Sequence, residues 1–187
     1  MHPTDPHHDH AKRTDPNWRW THPSCLDVPE LLKHCEIGTG RATGGPGGQH
    51  RNKVETQVFV RYKPADVEAR ADERRSQSEN KSVALRRLRL LLAIHVRTPV
   101  PVGEIGSGLF RSRVRNGRIA CSPEHDDYPA MLAEALDVIA AARWDVAKAA
   151  LRLGSTTSQL IKLVKDHPAA LRYLNEQRRA RGEHELK

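Results

Sequence analysis

A run of glycines interrupts the chain early: residues 43–49 read Thr-Gly-Gly-Pro-Gly-Gly-Gln. Glycine loses more conformational freedom on folding than any other residue, so no helix or strand continues through such a run. The run is therefore predicted to be a loop. The regular elements that hold it must come from the stretches on either side.

Regular elements are predicted on both sides of the glycine-rich loop. Before it, Asp27 is placed to cap a short helix, and residues 35–42 look extended. After it, small apolar side chains occupy every second position over residues 54–61, which indicates a strand, and residues 67–71 can return as a second strand. An amphipathic helix with a cationic outer face is predicted over about residues 82–98.

The second half of the chain begins with a stretch rich in proline and glycine, which is predicted to be a connector. Within it, the basic run at residues 110–115 either contacts RNA or forms a solvated loop, and both interpretations are open. From Tyr128 onward apolar residues recur at helical spacing. Residues 149–160 have the layout of a helix-turn-helix, with small side chains where two helices would cross and Gly154 at the sharp turn.

These patterns predict an α+β fold divided into four segments. Residues 1–24 hold almost no aliphatic side chains and are expected to be a disordered tail. Residues 25–97 form a small domain of mixed strands and a helix, residues 98–125 connect it, and residues 126–187 form a helical subdomain with helix-turn-helix character. A helix-turn-helix either binds nucleic acid or serves only as a packing unit; RNA contact is the favoured interpretation here.

The balance of charge indicates a polyanionic partner. The chain carries 31 Lys and Arg against 23 Asp and Glu, a formal net charge of +8, and its pI is near 9.8. Nucleic acid is the first candidate for such a surface. Three cysteines at irregular spacing predict reduced thiols, and no apolar run suits a membrane span or a secretion signal, so a cytoplasmic protein is expected.

Two separated motifs narrow the function. Gly47-Gly48-Gln49 is followed at the third position by Asn52, and further along by Arg75-Ser76-Gln77 and Asn80. In this order and spacing, the stretch from about residue 31 to residue 97 resembles the catalytic domain of class I peptide chain release factors and of the stand-alone ribosome-rescue hydrolases built on it. The sequence departs from that family before the motif, where Ala-Thr-Gly-Gly replaces Ser-Ser-Gly and lengthens the loop by one residue.

The resemblance implies an enzyme, a peptidyl-tRNA hydrolase activated by the ribosome, with Gly47, Gly48 and Gln49 as its catalytic residues. Glycines lack a Cβ atom, so the backbone can approach the ester closely, and a main-chain N–H can then stabilise the oxyanion. In the family this donor is the N–H of Gln49, whose side chain helps to place the attacking water. His50 is either a base or, as we favour, a loop or RNA contact. No cofactor and no metal are expected, because RNA would supply the remaining acid and base groups.

Cationic and polar residues on both sides of the loop are expected to contact RNA. Between Arg41 and Arg97 there are thirteen Lys or Arg and six Asp or Glu, a surplus that suits a phosphate-lined cavity. The expected RNA-contacting residues are Arg41, His50, Arg51, Asn52, Lys53, Arg74, Arg75, Ser76, Gln77, Asn80, Lys81, Arg86, Arg87, Arg178, Arg179 and Arg181.

The sequence shows no room for a codon-recognition domain, so release from stalled ribosomes or separated large subunits is expected without a stop codon. The expected partners are the large ribosomal subunit, through its RNA at the peptidyl-transferase centre, and peptidyl-tRNA. A monomer without membrane contact is expected. The alternative is an RNA- or DNA-binding module that uses the helix-turn-helix and keeps an idle Gly-Gly-Gln loop.

Overall fold

A computed structural model of the chain describes residues 22–40, 56–100 and 106–187. The α+β fold predicted from the sequence is confirmed: a small sheet and a long helix are followed by a helical part. The helices are α1 (Val28–Lys33), α2 (Gln77–His95), α3 (Gly108–Arg113), α4 (Tyr128–Ala141), α5 (Val146–Arg152), α6 (Thr157–Lys165) and α7 (Pro168–Arg179), and the strands are β1 (Cys35–Gly40), β2 (Gln57–Tyr62), β3 (Val67–Ala71), β4 (Val114–Arg115) and β5 (Arg118–Ile119). In the described ranges no helix combines the length and the apolar character that a membrane span needs.

Three antiparallel strands in the order β1-β2-β3 form the main sheet. The central strand β2 buries Val58 and Val60, which are 3% and 0% exposed, and the residues between them are more accessible. This is the period of two that the sequence predicted for the strand. The predicted return strand over residues 67–71 is confirmed as β3, and the predicted short helix after Asp27 is confirmed as α1, with the Asp27 carboxylate accepting a hydrogen bond from the Glu30 N–H.

The long helix α2 begins at Gln77, a full turn before the predicted start near Ser82. Its first turn carries polar side chains, so the apolar spacing that predicted the helix does not mark it. The turn forms because the Asn80 N–H donates to the Ser76 carbonyl and the Asn80 side chain is buried against the start of β2. A buried polar contact, and not an apolar one, sets the beginning of this helix.

One face of the sheet packs against α2 and encloses the first of two hydrophobic cores. Leu31 from α1, Val60 from β2 and Leu88 and Leu92 from α2 are 0% exposed in this core. Burial of each large aliphatic side chain stabilises the fold by roughly 1.5–3 kcal/mol. The sheet is thereby fixed to one side of α2, so its strand ends keep a constant position relative to that helix.

The second core is built around α4, whose residues from Tyr128 to Ile139 are all buried. A helix that is buried on every side must be surrounded, and α4 packs against α2, α3, α5 and α6. The Tyr128 hydroxyl donates a hydrogen bond of 2.8 Å to the Leu163 carbonyl in α6. Burial raises the pKa of Tyr128, so this hydroxyl stays protonated and able to donate.

The two cores meet along α2, where a buried carboxylate joins them. Asp137 of α4 has a side chain that is 0% exposed; it lies 3.0 Å from an Arg97 Nη1 atom and accepts from both the N–H and the hydroxyl of Thr98. Charge-assisted hydrogen bonds of this kind are stronger than neutral ones, and an unpaired buried charge is costly. The contact therefore ties the end of α2 to the middle of α4.

Residues 22–24 correct the prediction of a disordered tail over residues 1–24. His22 and Ser24 are 0% exposed: the His22 ring bonds the Val96 carbonyl at 3.1 Å, and the Ser24 hydroxyl donates to the Arg89 carbonyl. These polar side chains are fixed by hydrogen bonds to α2 and to the residue after it, so the scarcity of aliphatic residues did not reveal the contact. Residues 1–21 lie outside the described residues.

The stretch predicted as a connector contains the helix α3 and the hairpin β4–β5. In the basic run at residues 110–115, Phe110 is 0% exposed and anchors α3 in the second core, so a wholly solvated loop is the wrong interpretation of this run. Ser107 caps α3, and both its N–H and its hydroxyl donate to the buried carboxylate of Glu134 at 2.6 Å.

The predicted helix-turn-helix is confirmed as α5 and α6. Ala149 and Ala150 are 0% and 1% exposed on the inner side of α5, and Leu160 of α6 is 0% exposed. Gly154 between the two helices has φ +63°, a left-handed conformation that glycine adopts without the strain a side chain would bring. The chain therefore turns sharply between the two helices where the sequence predicted that it would.

Candidate functional site

The described residues fix the two points at which the glycine-rich segment leaves and rejoins the sheet. Gly40, the last residue of β1, is paired with Gln57, the first residue of β2. Residues 41–56 connect these two paired positions, so the segment starts and ends at one end of the sheet. Eight candidate residues lie outside the described residues: Arg41, Gly47, Gly48, Gln49, His50, Arg51, Asn52 and Lys53.

Asn80 anchors the returning end of this segment. Its side-chain Nδ2 donates to the Thr56 carbonyl at 2.6 Å and to the Arg74 carbonyl at 3.0 Å, and its Oδ1 accepts from the Arg74 N–H at 2.9 Å. The side-chain amide thus uses both donors and its acceptor on main-chain groups. It joins the entrance of β2 to the turn that precedes α2.

Asn80 was predicted to contact RNA, but its side chain is engaged by main-chain groups inside the chain. The residue is 0% exposed, and its amide is saturated by main-chain partners of the same chain. The motif placed Asn80 correctly near the loop, but sequence alone could not show that its partners are Thr56 and Arg74. The structure therefore assigns it a positioning role. Thr56, which the sequence analysis did not single out, supplies the carbonyl at which the loop is held.

The residues before and within the first turn of α2 offer the accessible cations of this area. Arg74 and Arg75 are exposed, Lys81 is half-buried, and in the part of the chain that the structure describes none of the three forms an ion pair. Ser76 is the N-cap residue of α2, and the exposed Gln77 is the first residue of the helix. Arg74, Arg75, Ser76, Gln77 and Lys81 therefore lie together beside the anchored end of the glycine-rich segment.

Two further candidates on α2 are held by contacts inside the chain. The Arg87 guanidinium donates to the Arg70 carbonyl at 2.7 Å and pairs with Glu73. Arg86 reaches the other way, to the Pro123 carbonyl and to the exposed carboxylate of Asp126 at 3.5 Å. Both arginines brace α2 against its neighbours, Arg87 toward the sheet and Arg86 toward the segment before α4.

The three C-terminal candidates also have partners in the chain. Arg178, which was predicted to contact RNA, is 9% exposed, and its guanidinium is engaged inside the chain by the carbonyls of Trp144 and His184. Arg179 pairs with Glu185, and Arg181 lies 5.3 Å from the centre of the Trp144 ring. The residues after α7 fold back over these arginines. The amino-acid composition of this segment does not indicate such contacts.

The candidate site therefore has a rigid base and a cationic rim. Main-chain bonds between β1 and β2, together with the Asn80 amide, hold the base, while Arg74, Arg75 and Lys81 bring positive charge to its edge. Clustered cations of this kind attract phosphates, because each neutralised phosphate releases condensed counterions. The arrangement can present the segment that connects β1 and β2 to an RNA surface.

Residues 30–100 match the RF-1 domain family. The chain is 44% identical over 69 residues to peptide chain release factor PrfB1, chloroplastic, of Arabidopsis thaliana, which covers 37% of this chain and 14% of that protein. It is 33% identical over 97 residues to peptide chain release factor 1 of Rhodospirillum rubrum, covering 48% of this chain and 27% of that protein. It is 39% identical over 71 residues to mitochondrial peptide chain release factor 1 of Bos taurus, covering 38% and 16%.

The chain spans less than a third of the length of each of these three release factors. The matched family range begins within α1, includes the sheet and α2, and ends just before the helical part. It contains the Gly47-Gly48-Gln49 segment, its Asn80 anchor and the cationic rim. Over residues 30–100 the chain is therefore similar to the RF-1 domain and to the peptide chain release factors that match it.

Proposed function

We propose that the protein hydrolyses the ester of peptidyl-tRNA on the ribosome and so releases the nascent chain. The observation that carries the proposal is the position of Gly47-Gly48-Gln49 inside an RF-1 domain, on a segment whose two ends are fixed at one end of the sheet. The relatives that match this domain are named peptide chain release factors. An anchored loop of small residues suits a target buried in a narrow RNA cavity.

The chemistry proposed for the loop needs no nucleophilic side chain. Gly47 and Gly48 let the backbone approach the ester, and the main-chain N–H of Gln49 donates to the oxygen that becomes negative in the tetrahedral state. A single preorganised donor of this type contributes roughly 3–4 kcal/mol to the transition state. The Gln49 amide is neutral and both donates and accepts, so it can place the attacking water without competing with it.

Ribosomal RNA is the proposed partner at the cationic rim. Arg74, Arg75 and Lys81 have no ion-pair partner in the described residues and lie beside the anchored end of the loop. Contacts to phosphates would fix the position of the domain without reading sequence. Arg41, His50, Arg51, Asn52 and Lys53 belong to the same proposal through their place in the loop.

We further propose that release does not require a stop codon and that the protein acts as a monomer on stalled ribosomes or separated large subunits. The support comes from the architecture: after the RF-1 domain, the described residues 106–187 build a helical unit that packs directly on α2 and contains a helix-turn-helix. In this proposal the helical unit binds the ribosome and positions the catalytic loop, whatever codon is present.

Release of labelled peptide from ribosomes stalled on an mRNA without a stop codon tests the proposal. Wild-type protein is compared with Gln49→Ala and Gly48→Ala, and naked peptidyl-tRNA serves as the control substrate. Gln177→Ala is the matched control variant, since it removes the same type of side chain from α7, outside the matched range of residues 30–100. We expect release only on the ribosome, at the wild-type rate for Gln177→Ala, and lost in both loop variants.

The alternative is a nucleic-acid-binding module with an idle loop, which the helix-turn-helix favours. That alternative predicts ribosome or RNA binding by the wild-type protein with no release from stalled ribosomes or from isolated large subunits. Such an outcome would overturn hydrolysis as the function and leave binding.

A further inference from the structure

The hairpin β4–β5 carries two positive charges that face each other without compensation. Arg115 and Arg118 stand directly opposite in the register of the two strands, and both are exposed. Like charges at opposite positions destabilise a strand pair. In the described ranges neither arginine forms an ion pair or a hydrogen bond through its side chain. Within the described part of the chain these two charges therefore have no neutralising partner, whereas a bound anion would neutralise both.

The direction of the two arginines follows from the alternation of the strands. Val114 and Ile119, the neighbouring pair in the register, pack against the second hydrophobic core. Successive residues of a strand point to opposite faces, so Arg115 and Arg118 point away from that core. Arg113 differs from them, because its guanidinium is held by the Asp127 carboxylate.

The hairpin is fixed on the helix-turn-helix and does not hang free. Its turn residues Asn116 and Gly117 have φ +51° and +76°, as a tight hairpin turn requires. The Gly117 carbonyl accepts from the Thr156 N–H at 3.0 Å, and the Ile119 N–H donates to the Gln159 Oε1 at 3.2 Å. Thr156 is the N-cap of α6. The two arginines therefore keep a constant position beside the exposed first turn of that helix.

The charge of both elements is one-sided. Residues 106–123 contain four arginines and no acidic residue, and residues 146–165 contain four Lys or Arg and no acidic residue. Among these cations, Arg113, Lys148 and Lys162 are paired with aspartates that flank the two stretches, and Arg152 also has an interaction within the chain. Positive charge therefore prevails over the hairpin and the start of α6, which favours a polyanion over an apolar or a basic partner.

We propose that the β4–β5 hairpin and the first turn of α6 form a phosphate-binding face, through which the helical unit contacts the backbone of structured RNA. This deepens the proposed function and rests on it for the identity of the RNA, which is ribosomal. The contacts are made by Arg115 and Arg118 and are independent of base sequence. They replace the C-terminal arginines Arg178, Arg179 and Arg181, whose side chains are engaged within the chain.

The test compares two double variants of the full chain that lose the same charge. Arg115→Gln/Arg118→Gln removes the face, and Lys33→Gln/Arg61→Gln removes two exposed cations that form surface ion pairs with Glu30 and Asp66. Binding to a labelled RNA duplex, to a DNA duplex of the same sequence and to large ribosomal subunits is measured over a range of salt. Peptide release is measured on stalled ribosomes, and thermal unfolding verifies that both variants are folded.

We expect the hairpin variant to bind the RNA duplex and the large subunit more than about tenfold less tightly at low salt, with the slope of log affinity against log salt reduced by about two. The control should match wild type. On ribosomes the hairpin variant should need more protein for half-maximal release and reach the wild-type rate at saturation.

Unchanged RNA and subunit binding by the hairpin variant would overturn the proposal, and so would tighter binding of wild type to DNA than to either RNA partner. Failure of the proposed function looks different: wild-type protein would release no peptide, while the duplex measurements would still decide whether the hairpin binds RNA.

Discussion

Replacing Asn80 by alanine tests whether a buried amide, and not an RNA contact, links α2 to the loop segment. Asn80 is 0% exposed and makes three hydrogen bonds, to the Thr56 carbonyl, the Arg74 carbonyl and the Arg74 N–H. The alanine variant leaves these three main-chain groups without their partner. Each buried group left unsatisfied costs about 1–3 kcal/mol, and water that reaches the half-buried Thr56 recovers part of this.

We therefore expect Asn80→Ala to lower the free energy of unfolding by about 2–4 kcal/mol. Asn80→Asp keeps the size but turns a carboxylate oxygen toward two carbonyl oxygens. Its folded-state pKa should be raised, since a protonated carboxyl can donate to one of them. If the carboxyl introduced by Asn80→Asp has a higher pKa in the folded than in the unfolded state, the folded state binds its proton more tightly. The free energy of unfolding of this variant should therefore decrease as the pH rises from about 4 to 7.

Urea unfolding of wild type and both variants measures these differences. Ser82→Ala is the matched control on the same helix, because the Ser82 hydroxyl donates to the Ser78 carbonyl at an exposed position. Its free energy of unfolding should lie within about 0.5 kcal/mol of wild type. If Asn80→Ala is as stable as that control but binds ribosomes more weakly, Asn80 contacts RNA and the positioning role is refuted.

Three further changes test the remaining scaffold. Burial lowers the pKa of His22 from 6.5 to about 4, so between these pH values the unfolded chain binds more protons than the folded chain. The free energy of unfolding must therefore decrease as the pH is lowered from 7 to 5. Measured by urea unfolding, this decrease should be about 2 kcal/mol larger in wild type than in His22→Gln. Asp137→Asn leaves the half-buried Arg97 charge unpaired and should cost about 3–5 kcal/mol, against no more than about 1 kcal/mol for the exposed pair broken in Asp145→Asn. Gly38→Ala places a Cβ 2.0 Å from the Phe59 ring and should cost about 1–3 kcal/mol, whereas an unchanged midpoint would show that the ring rotates freely away.

Hydrophobic periodicity predicted the elements whose burial is apolar. The alternation around Val58 and Val60 placed β2, and the small residues around Gly154 placed the helix-turn-helix. The first turn of α2 was missed because its buried residue is Asn80, which carries no apolar signal. His22 and Ser24 were missed for the same reason, since they bury polar side chains against main-chain carbonyls.

The hairpin β4–β5 was missed because two-residue strands are too short to show a period of two. The Asn116-Gly117 dipeptide was the available signal, as it favours the tight turn that the structure contains. Positive charge in the sequence predicted RNA contacts for arginines whose side chains are engaged within the chain. Arg178 is one of many arginines in the sequence, and only the fold shows that its guanidinium donates hydrogen bonds to the Trp144 and His184 carbonyls. Local motifs indicated the similarity to release factors over residues 30–100, whereas the partners of individual arginines required the tertiary structure.

The central claim is that the Gly-Gly-Gln segment performs ribosome-dependent ester hydrolysis. The most direct measurement is the single-turnover rate of peptide release from stalled ribosomes saturated with wild type, Gly48→Ala or Gln49→Ala, with ribosome occupancy determined in the same samples. We expect equal occupancy and a rate at least about 100-fold lower for Gly48→Ala, because a Cβ at residue 48 would keep the main-chain N–H of residue 49 from the oxyanion. We also expect a lower rate for Gln49→Ala, which keeps that N–H but loses the amide that places the attacking water. Release at the wild-type rate by either variant at equal occupancy would contradict the claim.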